Sequence, residues 1–337
     1  MSDLFINKSV WTTFTPSERS DYVDRVFKHY RTSGFPYFPT NGHYRAEEFR
    51  KLMQYDVHDI IQGDVVRQTM HGLALAWSYM PHSWSVPCNN KLTPEQLFAD
   101  DALLRKVIIK RMSMGDNMSD NGLRKMLKLY SGAQCVSNFR PTAAAALYLA
   151  FAGVGATVLD MSCGYGGRLL GAIRAGVHYI GFEPCVETFD GLHQLAADFS
   201  SHDQDVDLFL AGSETMELSN EVDFAFTSPP YFDTEKYSAD ATQSYIKFPT
   251  KKEWVDGFLF ETLRRTHRAL RNNGMMAINV QDVPNFKNLC EVLRRTAETA
   301  GFELYGNIRL ALSNPRMNNE KSAFKHEPIF IFRKKHV

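Results

Sequence analysis

Thr157-Val-Leu-Asp-Met-Ser-Cys-Gly-Tyr-Gly-Gly167 is the stretch of sequence that decides the fold. It begins with a short apolar run, typical of a buried strand, and a cluster of glycines follows directly. Glycine suits a sharp turn in which the backbone comes close to a neighbouring group, because it has no side chain. The stretch therefore predicts a buried strand that turns into a helix over residues 167–175.

Strand and helix patterns alternate on the carboxyl side of this stretch. The alternation predicts an α/β fold with a mostly parallel, doubly wound sheet and helices on both faces. In such sheets a ligand binds beyond the carboxyl ends of the strands, so the loops after these ends should surround one crevice. The further predicted strands are 179–183, 207–211, 222–227, 275–280, 302–312 and 328–333, and the predicted helices are 143–150, 253–270 and 288–300.

The first part of the chain has a different texture. Turn-rich aromatic stretches separate its helical patterns, and no strand pattern alternates with them. We therefore expect a mainly helical accessory domain over residues 1–134 and the α/β domain over residues 135–337. The helices predicted in the accessory domain are 18–30, 45–55, 94–112 and 121–129.

The charge balance gives no strong attraction to nucleic acid, because 38 Lys and Arg residues face 38 Asp and Glu residues. A local excess occurs over residues 101–140, with eight basic residues against three acidic ones. This region is either a local basic surface or the solvated face of a helix.

The cysteines argue against disulfides and against a structural zinc site, because they are odd in number, scattered and without CxxC spacing. No metal is expected. No apolar run approaches the roughly 18 residues of a membrane span, and no signal sequence is recognisable, so we expect a cytoplasmic protein. The cysteines are Cys88, Cys135, Cys163, Cys185 and Cys290.

The glycine-rich stretch and the next strand carry a cofactor signature. Gly164 and Gly166 follow Asp160 at the end of the first strand, and Glu183 ends the second, where a carboxylate can accept hydrogen bonds from both hydroxyls of a ribose. The pattern resembles the D-x-x-x-G-x-G signature of class I methyltransferases and implies S-adenosylmethionine as the cofactor. The glycine backbone would pack against this cofactor, Asp160 would organise the turn near its amino group, and Ser162 would be a further contact. The alternative is that the glycines cap a structural helix and Glu183 is a surface carboxylate.

Val136-Ser-Asn-Phe-Arg-Pro-Thr142 precedes the alanine-rich helical pattern. It resembles the segment of amino-methylating DNA methyltransferases that folds over the methionine end of the cofactor. The resemblance assigns cofactor contacts to Asn138, Phe139 and Pro141. Thr142 can equally be a helix N-cap.

Thr227-Ser-Pro-Pro-Tyr-Phe232 is the most informative stretch for chemistry. It matches the (D/N/S)-P-P-(Y/F/W) motif of N-methyltransferases and follows a predicted strand, as that motif does. The alternative is that the stretch is a proline-rich turn.

The chemistry of an exocyclic amine explains why these residue types are needed. The amino nitrogen of cytosine or adenine is a poor nucleophile, because its lone pair is delocalised into the ring. The Ser228 side chain and the Pro229 carbonyl can accept hydrogen bonds from the two amino hydrogens, and Pro230 helps to fix the backbone. Tyr231 and Phe232 are the predicted stacking partners of the base. Methyl transfer would be direct, without a covalent enzyme intermediate.

The resemblance to DNA amino-methyltransferases covers about residues 135–335 and implies a site-specific enzyme of a bacterium or a phage. A base inside a duplex cannot reach such a pocket, so base flipping is implied. Serine at position 228 leans toward cytosine N4, but some adenine N6 enzymes share it, so both targets stay open.

Target recognition would fall to the accessory domain and to two loops, 233–252 and 313–325. Both loops can contact DNA, and both can equally be solvated loops. The predicted substrate contacts in or beside them are Phe232, Tyr237, Arg316 and Lys321.

Three other functions use the same features. The chain could methylate RNA or a protein glutamine, could be a phage enzyme that attaches another group to DNA, or could be an inactive cofactor-binding subunit. A cytosine carbon-5 methyltransferase is disfavoured, because no Pro-Cys pair follows the strand 222–227. The oligomeric state and the existence of a restriction partner stay open.

Overall fold

The computed structural model describes residues 4–114, 117–219, 221–312 and 324–335. Arg316, Lys321 and most of the loop 313–325 lie outside the described residues. The chain forms two compact units, of which the first comprises Met1–Pro39 with Pro81–Ser137 and the second comprises Thr40–Met80 with Asn138–Val337. This division differs from a single boundary after residue 134, because residues 40–80 belong with the sheet.

The amino-terminal elements are mostly helices. Short 3-10 turns lie at His58–Ile60 and Pro81–Ser85. The other elements before the large sheet are α1 (Lys8–Thr13), α2 (Pro16–Ser33), α3 (Gly42–Gln54), β1 (Ile61–Gln62), β2 (Val65–Val66), α4 (Leu73–Ser78), α5 (Pro94–Ala99), α6 (Asp101–Met114) and α7 (Asp120–Leu129).

The carboxyl-terminal elements alternate as predicted, beginning with α8 (Pro141–Phe151) and β3 (Thr157–Asp160). A 3-10 turn at Ser213–Thr215 and a π-helical segment at Trp254–Phe260 interrupt the pattern. The remaining elements are α9 (Gly167–Ala175), β4 (His178–Phe182), α10 (Val186–Phe199), β5 (Val206–Phe209), β6 (Val222–Thr227), α11 (Ser244–Lys247), α12 (Lys251–Glu253), α13 (Glu261–Ala269), β7 (Leu270–Asn279), α14 (Leu289–Thr299), β8 (Phe302–Ala311) and β9 (His326–Lys334).

Within the described residues, nine strands form one sheet in the order β1-β2-β8-β9-β7-β6-β3-β4-β5. Strands β3 to β7 pair in parallel, and β9 lies antiparallel between β7 and β8. The predicted α/β sheet is therefore confirmed. Since β9 runs in the opposite direction, its first residues lie at the edge where β6 and β7 end.

The small hairpin of β1 and β2 explains why residues 40–80 belong to the second unit. Val65 and Val66 pair in parallel with Arg309 and Leu310 of β8. Asp64 reinforces this pairing, because its carboxylate accepts hydrogen bonds from the Arg309 guanidinium at 2.8 and 2.9 Å.

The core of the first unit is formed by aromatic and aliphatic side chains, among them Trp11, Tyr22 and Tyr30. Two basic residues of the segment 101–140 are buried in this unit. Arg111 donates to the Asn117 carbonyl at 2.7 Å, and Arg124 donates to the Pro36 carbonyl at 2.8 Å. These two arginines therefore belong neither to a basic surface nor to a solvated helix face.

Helices α8 and α9 pack at close range through Gly171. A Cβ atom at this position would lie 2.5 Å from the Ala144 Cβ and 2.9 Å from the Ala145 nitrogen and the Pro141 carbonyl oxygen. Only glycine allows this approach without displacement of a helix.

Two predicted helices differ from the structure. Predicted helix 94–112 is two helices, because Asp100 is extended and its side chain caps α6 by accepting from the Leu103 nitrogen at 2.8 Å. Predicted helix 253–270 contains the π-helical segment and ends one residue earlier, since Leu270 pairs with Val222 and begins β7. The connection that follows contains one residue with left-handed backbone, Asn273, with φ +64°.

All five cysteines are free. No group of three or more His, Cys, Asp or Glu side chains in the described residues is arranged to hold a metal ion. No helix in the described part of the chain combines the length and apolar character of a membrane span.

Candidate active site

Asp160 is the last residue of β3 and has no exposed surface. Its carboxylate accepts hydrogen bonds from four neighbouring donors. One oxygen accepts from Arg168 Nε and from the Tyr179 hydroxyl, both at 2.7 Å. The other accepts from the Thr227 hydroxyl at 2.9 Å and from the Ser162 nitrogen at 3.2 Å. Burial lowers the pKa of Arg168, but the Asp160 charge more than offsets this and raises it, so the guanidinium stays charged. Asp160 therefore joins the ends of β3 and β6 to a tyrosine of the adjacent β4 and to the start of α9.

The glycine-rich turn needs left-handed backbone at two positions. Gly164 has φ +58° and Gly166 has φ +81°, which favours glycine at both. A Cβ at Gly164 would meet no heavy atom closer than 3.7 Å. An added Cβ would make ordinary van der Waals contact there, so the preference for glycine comes from the backbone conformation.

Asn138 links the segment 136–142, which is predicted to fold over the cofactor, to the glycine-rich turn by hydrogen bonds. Its side chain donates to the Tyr165 carbonyl at 2.8 Å and accepts from the Gly167 nitrogen at 3.1 Å. A Cβ at Gly167 would collide with the Phe139 carbonyl, so the close approach requires glycine. The half-buried Phe139 ring lies edge-on to Phe226 of β6.

Pro141 and Thr142 form the buried start of α8. The N-cap position is occupied by Arg140, which makes no side-chain capping bond. Thr142 is therefore not the cap, and its hydroxyl instead pairs with the Thr69 hydroxyl at 2.9 Å.

Glu183 follows β4 and is 9% exposed. Its carboxylate accepts from the Cys185 nitrogen at 2.9 Å and also interacts with the Gly164 backbone. Burial raises the pKa of Glu183 to about 7, against the opposing effect of these two backbone donors. The structure thus brings Glu183 directly to the glycine-rich turn.

The loop after β6 begins with Ser228, at the same edge of the sheet as Asp160. Thr227, which precedes it, is bound to Asp160, so the start of the loop is held to the end of β3. Ser228 and Pro230 are half-buried and Pro229 is buried. The Tyr231 hydroxyl interacts with the Ser228 side chain, and burial raises the pKa of Tyr231, so the phenol stays neutral.

Phe232 and Tyr237 have different surroundings from each other. Phe232 is 7% exposed, has φ +57°, and packs edge-on to Trp254 and Phe286 in the core. It is therefore not available for stacking on a base. Tyr237 is half-exposed and lies edge-on to Tyr165 of the glycine-rich turn, with ring centroids 6.1 Å apart.

The loop 233–252 makes polar contacts with other segments of the second unit at several points. The Thr242 hydroxyl donates to the Pro184 carbonyl at 3.2 Å, and Lys247 pairs with the buried Glu214 at 2.8 Å. The neighbouring Gln243 side chain is 4% exposed, and its Nε2 has no hydrogen-bond partner among the described residues. These bonds argue against a freely solvated loop.

Two polar residues at this edge of the sheet, Asn279 and Glu327, were not predicted from the sequence to belong to the site. Asn279, at the end of β7, is 3% exposed and donates to the Pro328 carbonyl at 3.2 Å. It also hydrogen-bonds the half-buried Glu327 carboxyl, which lies near the Tyr231 hydroxyl. An acidic residue at the start of an apolar strand was the available signal, but a single glutamate is uninformative until the strand direction is known.

Comparisons with known proteins bear on the fold and the chemistry. No curated protein matches the sequence. The solved structures that are similar include a Burkholderia thailandensis 1,6-didemethyltoxoflavin N1-methyltransferase with bound S-adenosylhomocysteine (18% identity, TM-score 0.38, 57% of this chain and 77% of that one). Another is a Synechocystis magnesium protoporphyrin IX methyltransferase with bound S-adenosylmethionine (10% identity, TM-score 0.37, 54% of this chain and 71% of that one). A third is the Mycobacterium tuberculosis cyclopropane synthase MmaA2 (16% identity, TM-score 0.37). This chain covers 62% of the cyclopropane synthase, which covers 50% of this chain. Such low similarity carries no information on substrate.

The decisive comparison is with a protein family. Residues 222–337 match the N6/N4 DNA methylase family. The match contains Ser228 to Tyr231 and the strands β6 to β9. It confirms the predicted resemblance to N4/N6 amino-methyltransferases, and the sheet order agrees with the predicted class I methyltransferase fold. S-Adenosylmethionine is accordingly the expected cofactor.

Proposed function

We propose that the protein is a site-specific DNA methyltransferase that methylates the exocyclic amine of a flipped-out cytosine, at N4, or adenine, at N6. The observation that carries this proposal is the bond from Thr227 to Asp160. It holds Ser228 at the same sheet edge as the glycine-rich turn and Glu183. An amine acceptor and a cofactor-type turn would then face one shared binding site.

The residues present fit the cofactor. The glycine-rich turn presents backbone without side chains at Gly164 and Gly166, which would let the cofactor come close, and the buried Glu183 carboxylate beside this turn can accept hydrogen bonds from its ribose. We assign further contacts to Asn138, Phe139, Pro141, Ser162 and Gly166. Asp160 would act through the turn, because the protein's own donors already use its carboxylate.

The cofactor supplies an electrophilic methyl group on a sulfonium sulfur. The Ser228 hydroxyl and the Pro229 carbonyl would accept the two amino hydrogens and draw the nitrogen lone pair out of conjugation. The prolines hold these acceptors in place before the base arrives. Tyr231, kept neutral by burial, would stack on the base. The methylated amine then loses a proton to water.

DNA recognition is proposed for the first unit and for the loop 233–252, with Tyr237 as a contact beside the glycine-rich turn. Arg316 and Lys321 remain proposed contacts from outside the described residues. Serine at position 228 favours cytosine over adenine.

The test is methyl incorporation from labelled S-adenosylmethionine into DNA, followed by nucleoside analysis. We expect N4-methylcytosine or N6-methyladenine, and we expect Ser228→Ala to lower the rate by about 100-fold with cofactor affinity unchanged. Ser201→Ala, at an exposed serine, is the matched control and should keep full activity. Incorporation into RNA or a glutamine peptide, with none into DNA, would refute the proposal.

A further inference from the structure

Glu327 is a carboxyl group at the catalytic edge of the sheet that the proposed function does not yet use. It is the second residue of β9, whose antiparallel direction brings its start to the end of β7, where Asn279 pairs with Ile329. The buried Asn279 amide holds both the Pro328 carbonyl and the Glu327 carboxyl. The position of Glu327 is therefore fixed by two strands.

The strand order places Glu327 at the same edge of the sheet as the loop that begins at Ser228, with β7 between their strands. Its carboxyl interacts electrostatically with Tyr231, whose hydroxyl interacts with the Ser228 side chain. The hydrogen-bond partner of this half-buried carboxyl in the described part of the chain is the Asn279 amide, which carries no charge. Burial beside a neutral partner favours the neutral form of a carboxyl group.

The chemistry of the target leaves one hydrogen-bonding position unfilled. In cytosine and in adenine the exocyclic amine is next to a ring nitrogen that accepts a hydrogen bond, and a flipped base is read on this edge. Ser228 and Pro229 supply only acceptors for the amine. A hydrogen-bond donor beside them is needed for the ring nitrogen, and a neutral carboxyl has one O–H donor.

We propose that the Glu327 carboxyl donates a hydrogen bond to the ring nitrogen beside the target amine, cytosine N3 or adenine N1. This inference rests on the proposed function and extends it to the recognition of the base. A base with an N–H at this position, such as thymine, would place two donors against each other and be rejected. Glu327 keeps its proton throughout, since it binds the base and takes no part in methyl transfer.

The protonation state that this role requires agrees with the surroundings. Burial raises the pKa of Glu327, and the Asn279 hydrogen bond opposes this only in part. Activity should therefore fall as pH rises through that pKa. Tyr231 and Cys290 also face the site, but burial raises the pKa of both, to about 12 for Cys290, so both stay neutral there. The other titratable neighbours are Glu235, which faces Tyr231, Asp282, which faces Cys290, and His326, which precedes Glu327.

The experiment compares oligonucleotides that carry the natural target base or its deaza analogue, 3-deazacytosine or 1-deazaadenine, at saturating cofactor. For the wild-type enzyme we expect the analogue to lower kcat/KM by about 10- to 100-fold. Glu327→Ala should lower kcat/KM on the natural base by a similar factor and show no further loss on the analogue. Glu327→Gln keeps a donor, so it should retain most activity and lose the fall at high pH, whereas Glu235→Gln should keep that fall.

The outcomes separate the two proposals. Suppose that the wild-type enzyme methylates DNA, but that the analogue lowers kcat/KM of Glu327→Ala by the same further factor as it lowers that of the wild type. The inference is then wrong and the proposed function stands. The same holds if Glu327→Gln is as impaired as Glu327→Ala. If the wild-type enzyme methylates no DNA under any condition, the proposed function itself fails.

Discussion

Glu183 changes its protonation state near neutral pH, because burial raises its pKa to about 7. The ionised carboxylate can accept hydrogen bonds from both ribose hydroxyls, whereas the neutral acid can accept fewer and must donate one. We therefore expect the affinity for S-adenosylmethionine to increase about 5- to 30-fold as pH rises through this pKa. Calorimetric titration between pH 6 and pH 8.5 measures this.

Glu183→Gln is the control for this pH dependence. It should bind the cofactor weakly with an affinity that does not change over the same pH range. A wild-type affinity that is equally flat would contradict the assignment of Glu183 to the ribose.

Arg168 is the counter-charge of the buried Asp160, and their side chains are 5% and 0% exposed. Replacement by methionine leaves the Asp160 charge buried without its partner. We expect Arg168→Met to lower the free energy of unfolding by about 3 to 5 kcal/mol, measured by urea denaturation.

Arg295→Met is the matched comparison, because its ion pair with Glu291 is on the surface and the Arg295 side chain is 77% exposed. It should change the free energy of unfolding by less than about 1 kcal/mol. Equal effects of the two substitutions on the free energy of unfolding would show that the ion pair of Arg168 with Asp160 does not stabilise the fold more than a surface pair does.

At the scale of elements, the contact of α8 with α9 depends on Gly171. Gly171→Ala places a methyl group 2.5 Å from the Ala144 Cβ, so the helices must separate. We expect a loss of about 1 to 3 kcal/mol in the free energy of unfolding, measured by thermal or urea denaturation.

Gly42→Ala is the control for this substitution. Gly42 lies in the first turn of α3, and a Cβ there would meet no atom within 4 Å. The substitution should be neutral or slightly stabilising, since alanine is a better helix former than glycine. A neutral Gly171→Ala would mean that α8 and α9 can move apart freely.

Local sequence patterns predicted those elements whose signals are local. Helix α9 was predicted with its observed bounds, because a glycine-rich turn precedes it and an apolar pattern continues through it. The single predicted helices over 94–112 and 253–270 were wrong in detail. Asp100 caps a new helix, and the pairing of Leu270 with Val222 converts the end of the second helix into strand. Strand pairing over such a distance in sequence leaves no local pattern.

The candidate site was predictable to the extent that its residues stand in motifs. The sequence predicted three residues of the candidate site because each stands at the end of a strand or directly after it. These residues are Asp160, Glu183 and Ser228, and the structure places all three at one edge of the sheet. Phe232 was predicted to stack on the base from its place beside Tyr231, but its backbone conformation turns it into the core. Asn279 was missed because it stands in no motif.

At the scale of the whole molecule, the division into two units was the least predictable feature. Strands β1 and β2 have two residues each, too few for a recognisable periodicity, and their partner β8 is distant in sequence. Because the total charge is balanced, the proposed attraction to DNA would have to come from local surfaces. In the first unit, Arg111 and Arg124 cannot serve this purpose, because they are bound internally.

The hydrogen bond between Asp160 and Thr227 has a consequence for the order of events in catalysis. It joins the loop that begins at Ser228 to the end of β3, so the spacing of these two segments is set by the fold itself. Under the proposed function, we expect DNA and the methyl donor to add in random order, which initial-rate kinetics would measure. The alignment of the two reactants would then be achieved during folding and would not have to be repeated in every turnover.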